Sequence, residues 1–268
     1  MYAYSGISIV NALPSWYGST MAIDLKVRVN IWEGDCKNSS SILIDKILEF
    51  FKEEYRIEKI CVNINSEIPQ RSGLKSSSAV AVALIDAISK RYGIKVNVPK
   101  LASIISLKAN VSVTGAYDDA TAAYYGGISF TYNKEFKLLK IINPPIDDIS
   151  IIILPRGDRP SSIQLSNLFK YKLLFEEIFN IAYSGDIIKA ARLNGIAVAE
   201  ILGYDTSIIK EALSAGALAA GITGNGPSIF AIVKEGEEGK IYDIFNREGN
   251  VIITRAVKID SERFSVSN

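Results

Sequence analysis

Apolar residues along the chain follow two spacings, one typical of strands and the other of helices. Ile23, Leu25, Val27 and Val29 alternate with polar or charged neighbours, the pattern of a strand with one buried face. The run at 149–154 is almost entirely apolar and predicts a buried strand. Over the whole chain, these patterns predict strands at residues 5–10, 23–29, 59–65, 128–132, 136–142, 149–154, 228–234 and 250–258.

Helical spacing occupies most of the remaining sequence. Between residues 39 and 55, apolar side chains recur on one side of a helix. The run at 76–92 ends at Gly93, a residue type suited to a helix C-cap. Helices are predicted at 39–55, 76–92, 99–109, 163–183, 186–202, 206–214 and 237–247, with a short helical turn after residue 119.

The order of these elements predicts the fold class. Strand pairs and helical blocks follow one another without regular β-α alternation, which indicates an α+β fold. Proline and aspartate interrupt the periodic pattern at 144–148, so we predict two domains, residues 1–147 and 148–268. A chain of 268 residues that is 48% hydrophobic can bury the core such a fold needs.

Composition excludes several kinds of function. The chain has no histidine, which excludes a Ser/His/Asp triad, a histidine general base and a histidine-ligated metal. Any proton transfer must use Asp, Glu, Lys or Tyr. The net charge of +1 provides none of the broad positive field of nucleic-acid-binding proteins, so we expect no nucleic-acid partner.

Cysteine content and hydropathy indicate the cellular setting. Cys36 and Cys61 are too few and too far apart in sequence to indicate a disulfide framework, and a reducing, cytoplasmic setting fits them. The first residues lack the charged and apolar regions of a signal peptide, and no run reaches the roughly 20 apolar residues of a membrane span. We expect a soluble, unexported protein without a membrane partner; its oligomeric state stays open.

The segment PQRSGLKSSSA, residues 69–79, has the features of a phosphate-binding loop. A glycine-containing loop that leads into a helix presents converging backbone N–H groups and a favourable dipole to an anion. Lysine adds a cation, and serine hydroxyls can meet phosphate or Mg²⁺. Alternatively, the serines only cap the helix that follows. The candidate binding residues are Arg71, Ser72, Gly73, Leu74, Lys75, Ser76, Ser77 and Ser78.

Two later segments accompany this loop. TGAYDDATAAYYGG, residues 114–127, contains two adjacent aspartates, and GITGNGPSIFAIV, residues 221–233, contains a glycine-rich turn before a strand. Each has an ordinary structural explanation, because aspartate often caps helices and Asn-Gly often forms turns. The candidate residues are Asp118, Asp119, Gly224, Asn225 and Gly226.

The three segments together resemble the motifs of the GHMP kinases, named for galacto-, homoserine, mevalonate and phosphomevalonate kinase. The first is similar to that family's P-x-x-x-G-L-x-S-S-[AS] loop, the second to its catalytic-aspartate segment and the third to its third motif. Their shared order favours function over capping. The resemblance implies a two-part α+β fold whose ATP site lies in the cleft between an N-terminal and a C-terminal α/β sandwich half. GISIVN, residues 6–11, loosely resembles the first motif and makes Asn11 a nucleotide-site candidate.

The resemblance also implies roles for the acidic residues. The family's catalytic aspartate lies seven residues before a glycine pair, which corresponds to Asp119 as the base, with Asp118 as its alternate or as a metal ligand. Mevalonate-type members carry an upstream glutamate that helps to hold Mg²⁺, but no acidic residue lies between Arg91 and Asp118 here. The candidate Mg²⁺ ligands are therefore Ser77, Asp118 or a distant carboxylate.

Within the family, GLKSSSA, GAYDDATAAYYGG and STMAIDL at 19–25 look most like the archaeal shikimate kinases. The resemblance implies transfer of the γ-phosphate of ATP to the 3-hydroxyl of shikimate, on the route to chorismate. The shikimate carboxylate calls for a bidentate arginine. Arg71, Arg156 and Arg159 are candidates, although most arginines are simply exposed.

Three other functions compete with this interpretation. A homoserine kinase would share the fold and the loop but take an amino-acid substrate. A ligand sensor would keep the fold without the chemistry, since a fold does not dictate a function. RNA binding, suggested by the ribosomal-protein-like N-terminal half of the family, is disfavoured by the near-zero net charge and the lack of an aromatic and basic stripe.

Overall fold

The computed structural model describes residues 1–36, 41–69, 72–144 and 148–266. Its strands are β1 (Tyr2–Val10), β2 (Tyr17–Glu33), β3 (Ile60–Ser66), β4 (Ile128–Tyr132), β5 (Lys137–Ile142), β6 (Ile149–Leu154), β7 (Ala219–Ile222), β8 (Ile229–Lys234) and β9 (Ile252–Arg255). Its helices are α1 (Ile42–Tyr55), α2 (Ser76–Tyr92), α3 (Val98–Lys108), α4 (Tyr117–Tyr125), α5 (Lys172–Tyr183), α6 (Ile187–Leu202), α7 (Ser207–Ser214), α8 (Glu238–Asn246) and α9 (Ser261–Val266).

The α+β class is confirmed, and β4, β6 and α2 have the predicted bounds. The helix predicted at 163–183 is wrong in its first part, where Leu165–Tyr171 forms 3₁₀ turns before α5 begins. Phe169 and Tyr171 in this segment are 52% and 44% exposed, so the apolar spacing there does not mark a buried face. Two short elements, β7 and α9, were not predicted.

The first sheet is built around the long strand β2. Strand β1 pairs antiparallel along one edge of β2, for example Ser8 with Thr20. The other edge is shared, because β4 pairs near the start of β2 and β3 near its end. Strand β5 extends the sheet beyond β4. This arrangement places the start of β2 between β1 and β4, in the middle of the sheet.

The second sheet has the order β7-β8-β6-β9 and is antiparallel throughout. Every residue of β6 is buried, as its continuous apolar sequence predicts. Helix α6 packs against β7 at a glycine-glycine contact, where a Cβ on Gly221 would lie 2.3 Å from the Cα of Gly195. Neither position therefore accommodates a side chain.

The two halves share one hydrophobic core. A single cluster of buried residues includes side chains from both sheets and the helices packed on them. After β9 the chain returns to the first sheet, where Ala256 bridges to Ile23 and Val257 exchanges hydrogen bonds with Ala22 and Gly127. The predicted boundary between residues 147 and 148 adjoins 145–147, which lie outside the described residues, and it stays a prediction.

Cys36 and Cys61 form a disulfide, with their Cα atoms 5.8 Å apart, so the expectation that they lie too far apart in sequence for a disulfide was wrong. The antiparallel pairing of β2 with β3 sets Cys61 opposite Trp32, and the chain beyond β2 then brings Cys36 within bonding distance. This proximity depends on strand register, which a separation of 25 residues does not reveal. Of the helices in the described ranges, none has the length and apolar character needed to cross a bilayer.

Candidate active site

A cleft of about 980 Å³ receives residues from both halves of the molecule. The first half contributes the end of β1, the loop 72–78 with the start of α2, the loop 110–114 and the start of α4. The second half contributes residues 158, 159 and 165 and the turn 224–226. All three segments singled out in the sequence therefore meet at one cavity.

The start of α2 is open toward this cleft. The N-cap residue is Lys75, which has left-handed backbone angles and makes no side-chain capping bond. The hydroxyl of Ser72 donates instead to the carbonyl of Pro69. Since the first N–H groups of a helix have no partner within it, those at the start of α2 remain available to an anion. Simple capping by the serines is therefore not what the structure shows.

The phosphate loop packs directly against the glycine-rich turn. Gly73 has φ +79°, and a Cβ there would lie 2.9 Å from the carbonyl oxygens of Thr223 and Gly226. The hydroxyl of Ser5 in β1 holds the loop from the other side by donating to Leu74 O at 2.8 Å. The loop is thus fixed between the two halves, and only glycine fits its closest approach.

Asp118 and Asp119 lie in the first turn of α4 and join a buried network rather than cap the helix. The Thr20 hydroxyl lies 3.0 Å from Asp118 Oδ2 and 2.7 Å from Asp119 Oδ1. Asn133 Nδ2 donates to Asp118 Oδ1 at 2.8 Å. Lys75 Nζ lies 2.9 Å from Asp119 Oδ1, and both side chains are nearly buried. The phosphate loop and the acidic pair are thereby connected by one ion pair.

The two aspartates have different surroundings. The pKa of Asp118 is raised to about 6. Burial contributes most to the rise and the adjacent Asp119 adds to it, while Lys75 and the hydrogen bonds from Asn133 and Thr20 oppose it. Each oxygen of Asp118 lies within hydrogen-bond distance of a donor, although the single hydrogen of the Thr20 hydroxyl is shared with Asp119 Oδ1. Asp119 Oδ2 has no partner among the described residues. Asp119 therefore keeps one carboxylate oxygen available at the cleft.

Comparison with known proteins gives matches to two family models and to several named enzymes. The model of the GHMP kinases N terminal domain matches residues 43–127, and that of the GHMP kinases C terminal matches residues 175–251. A shikimate kinase of Pyrococcus furiosus is 36% identical, over 93% of this chain and 96% of its own length. A shikimate kinase of Methanothermobacter thermautotrophicus is 34% identical, over 95% and 93%.

The chain belongs to the GHMP kinase family. Solved structures confirm the expected GHMP kinase fold. The mevalonate kinase of Methanococcus jannaschii aligns with a TM-score of 0.72 at 16% identity, over 97% of both chains. A homoserine kinase of Cytophaga hutchinsonii aligns with a TM-score of 0.67 at 21% identity, over 96% of this chain and 95% of that one.

In this GHMP kinase the predicted site residues mostly converge. The predicted residues that line the cleft are Asn11, Ser72, Gly73, Leu74, Lys75, Ser76, Ser77, Ser78, Asp118, Asp119, Arg159, Gly224, Asn225 and Gly226. Arg156 does not line it and pairs with Glu248 at 3.2 Å. Arg71 lies outside the described residues.

Sequence reasoning missed two members of the network, Thr20 and Asn133. Thr20 lies opposite Ser129 on the pair of strands beneath α4, and Asn133 follows β4 in a 3₁₀ turn. Their contacts with Asp118 depend on the pairing of β2 with β4. The segment STMAIDL, residues 19–25, includes Thr20 but indicates no role for it, and no motif includes Asn133. The alternating pattern of β2 can place Thr20 on one face of a strand, but it does not show that Asp118 packs against that face.

Proposed function

We propose that this GHMP kinase transfers the γ-phosphoryl group of ATP to the 3-hydroxyl of shikimate, giving shikimate 3-phosphate and ADP in chorismate and aromatic amino-acid biosynthesis. One observation carries the chemistry: the open N-terminus of α2 and the Lys75–Asp119 pair face the same cleft. Similarity over nearly the whole chain to archaeal proteins named shikimate kinase supports the choice of acceptor.

The phosphates of ATP bind, in this proposal, at the start of α2. The free N–H groups and the helix dipole favour an anion there, and Ser76, Ser77 and Ser78 add hydroxyl groups that line the cleft. Lys75 adds a positive charge next to the loop. The turn 224–226 holds the loop in place through its contact with Gly73. Phosphoryl transfer relies chiefly on such positioning and charge neutralisation.

Asp119 is the proposed base, with Asp118 as its alternate. Asp119 Oδ2 accepts the proton of the acceptor hydroxyl while the hydroxyl oxygen bonds to the γ-phosphorus, and the bond from that phosphorus to the bridging oxygen breaks to release ADP. Thr20 and Lys75 hold the Asp119 side chain in place. The assignment favours Asp119 because only its carboxylate keeps an oxygen without a protein partner among the described residues.

Magnesium fits the chemistry of the site, although few protein ligands are present. Ser77 and Asp118 both line the cleft and offer the oxygen atoms that Mg²⁺ prefers. Within the described ranges, no group of three or more acidic or cysteine side chains could form a cage. We therefore propose Ser77 and Asp118 as its protein ligands. The ion would neutralise charge on the phosphates, which usually supply several of its ligands themselves.

Arg159 is the proposed partner of the shikimate carboxylate. It lines the cleft, is exposed and forms no ion pair with a described acidic residue. Arg156 is less suited, because Glu248 already neutralises it. A cytoplasmic location accords with the need for ATP, and neither nucleic acid nor membrane is a proposed partner.

An ADP-release assay with shikimate, homoserine or mevalonate as acceptor tests this function. We expect turnover of shikimate alone, and a loss of kcat by about 10²–10⁴-fold in Asp119→Asn with little change in ATP binding. Asp119→Asn preserves the size of the side chain and the contact with Thr20 but removes the charge that pairs with Lys75. Unchanged ATP binding would show that Lys75 keeps its role, and lost kcat then reports on the base. Turnover of homoserine without shikimate would instead identify a homoserine kinase, and ATP binding without any turnover would support a sensor.

A further inference from the structure

Asn11 lies at the end of β1 and is 6% exposed. Its Nδ2 donates to Gly224 O at 3.1 Å and to Asn225 Oδ1 at 2.8 Å, which uses both amide hydrogens. Its Oδ1 accepts from Leu13 N at 2.9 Å, and its own backbone N–H donates to Asn194 Oδ1 at 2.8 Å. Asn11 thus has no donor left for a ligand and acts through the residues that it holds.

The orientation of Asn225 follows from this contact. Because Asn11 donates, Asn225 must turn its carbonyl oxygen toward it, and the Asn225 amide nitrogen then points away. That nitrogen has no hydrogen-bond partner among the described residues, and Asn225 lines the cleft. The backbone is fixed as well, since the Tyr204 hydroxyl donates to Asn225 O at 2.8 Å. The site therefore contains a fixed, unused N–H donor.

The surroundings of Asn225 indicate which ligand it meets. Arg159 and Asn225 both line the cleft, and both belong to the second half of the molecule. The phosphate end of the cleft already has the α2 N–H groups, three serine hydroxyls and Lys75. A cation and an amide donor on the second half together suit a carboxylate.

We propose that Asn225 determines acceptor specificity by donating its Nδ2–H to the carboxylate of the acceptor, which Arg159 also binds, and that Asn11 is the positioning residue that orients Asn225. This inference rests on the proposed function and deepens it. The proposed ligand of Asn225 is a carboxylate-bearing alcohol. The alternative acceptor of its Nδ2–H is a phosphate oxygen of ATP, which is also negatively charged.

Steady-state kinetics with each substrate varied separately tests the proposal. Asn225→Asp keeps the size and the acceptor for Asn11 but replaces the donor with a negative charge. We expect the KM for shikimate to rise about 10–100-fold, as for loss of a hydrogen bond to a charged group, with the KM for ATP changed less than about twofold. Asn11→Ala should raise the KM for shikimate by a smaller factor. Asn63→Asp, exposed on β3, is the matched charge control and should leave both constants unchanged.

A second measurement separates this inference from the function on which it rests. Wild type should discriminate against the methyl ester of shikimate, and Asn225→Asp should lose most of that preference.

For Asn225→Asp, a larger effect on the KM for ATP than on the KM for shikimate, or no effect on either KM, would overturn the role of Asn225 while leaving shikimate turnover intact. A wild type inactive with shikimate but active with homoserine would refute the function, and the same variants with homoserine would then test Asn225. Inactivity with both acids would overturn both proposals.

Discussion

Asp118 and Asp119 are neighbours in the chain, yet their carboxylates have different partners and therefore different properties. Asp118 is held by Asn133 and Thr20 in a buried position, while Asp119 is paired with Lys75. A Cβ on Gly18 would lie 2.6 Å from Asp118 Cγ, so β2 passes directly against this carboxyl and keeps it from solvent. The two carboxylates therefore differ because of the strands and the loop that pack around them, and not because of the local Asp-Asp sequence.

The burial of Asp118 predicts a specific pH dependence of stability. In the unfolded chain the carboxyl loses its proton near pH 3.8, whereas the folded pKa is raised to about 6. Ionisation therefore destabilises the folded state progressively from about pH 4 to pH 6, and the cost is complete above pH 6. Asp118→Asn cannot ionise, so its melting temperature relative to wild type should rise across this range and then stay level.

The two proteins should be melted in EDTA at closely spaced pH values, so that a metal ion does not contribute. The substitution also alters hydrogen bonds, which shifts the melting temperature by a constant amount. Only the change with pH in the difference between the two melting temperatures is used, so this constant shift cancels. Asp45→Asn, which changes an exposed carboxylate in the first turn of α1, serves as a control. A difference between Asp118→Asn and wild type that is flat from pH 4 to 6 would contradict the burial argument.

At the scale of elements, the contact between the phosphate loop and the glycine-rich turn predicts the effect of a single methyl group. Gly73→Ala would bring Cβ within 2.9 Å of two backbone carbonyl oxygens and would also strain a residue at φ +79°. We expect the loop to shift, the KM for ATP to rise at least about tenfold and stability to fall by about 1–3 kcal/mol. Kinetics and chemical denaturation measure both.

Gly93→Ala is the matched control for this loop variant. Gly93 caps the other end of α2 at φ +65°, but a Cβ there meets nothing within 4 Å. The variant should lose only about 1 kcal/mol from the left-handed backbone and keep the wild-type KM for ATP. Equal effects of the two substitutions on ATP would show that backbone strain, and not the contact with the turn, governs the loop.

The elements also show how far sequence reasoning reaches. Helix α2 and strand β6 were predicted to the residue because their apolar patterns and flanking residues agree. Strand β7 was missed because AAGI has no alternation and is defined by its packing against Gly195. The cleft residues marked by motifs converged, but Asn133 and Thr20 depend on strand pairing, and the orientation of Asn225 depends on a bond to a residue more than two hundred positions away.

At the scale of the whole molecule, the disulfide stabilises the first half without entering the site. It closes a loop with a sequence separation of 25, for which chain entropy predicts about 3.5 kcal/mol. The double variant Cys36→Ser with Cys61→Ser should lose about that much free energy of unfolding and keep wild-type kinetics, because neither cysteine lines the cleft. Wild type unfolded under reducing conditions should match the variant; no difference between oxidised and reduced protein would contradict the prediction.

Helix α9 is connected to α4, the helix that carries Asp118 and Asp119, through the side chain of Arg263. Arg263, 8% exposed, donates to Tyr124 O at the end of α4 and to Tyr2 O in β1, and its guanidinium lies 4.3 Å from the centre of the Tyr2 ring. It also lies 3.8 Å from Asp86, a carboxylate that is 1% exposed. One side chain thus links α9, α4, β1 and α2.

Arg263→Met keeps the length and packing of the side chain but removes its charge and its donors. The buried Asp86 would lose one of its cationic neighbours, and the Tyr2 and Tyr124 carbonyls would each lose a donor. We expect a loss of about 2–4 kcal/mol in the free energy of unfolding, measured with denaturant. Arg263→Lys should recover less than half, because a single ammonium cannot reach both carbonyls and stack on the ring. Arg255→Met, which breaks an exposed pair with Glu235, should cost less than about 1 kcal/mol, and equal losses for Arg263→Met and Arg255→Met would refute the linking role.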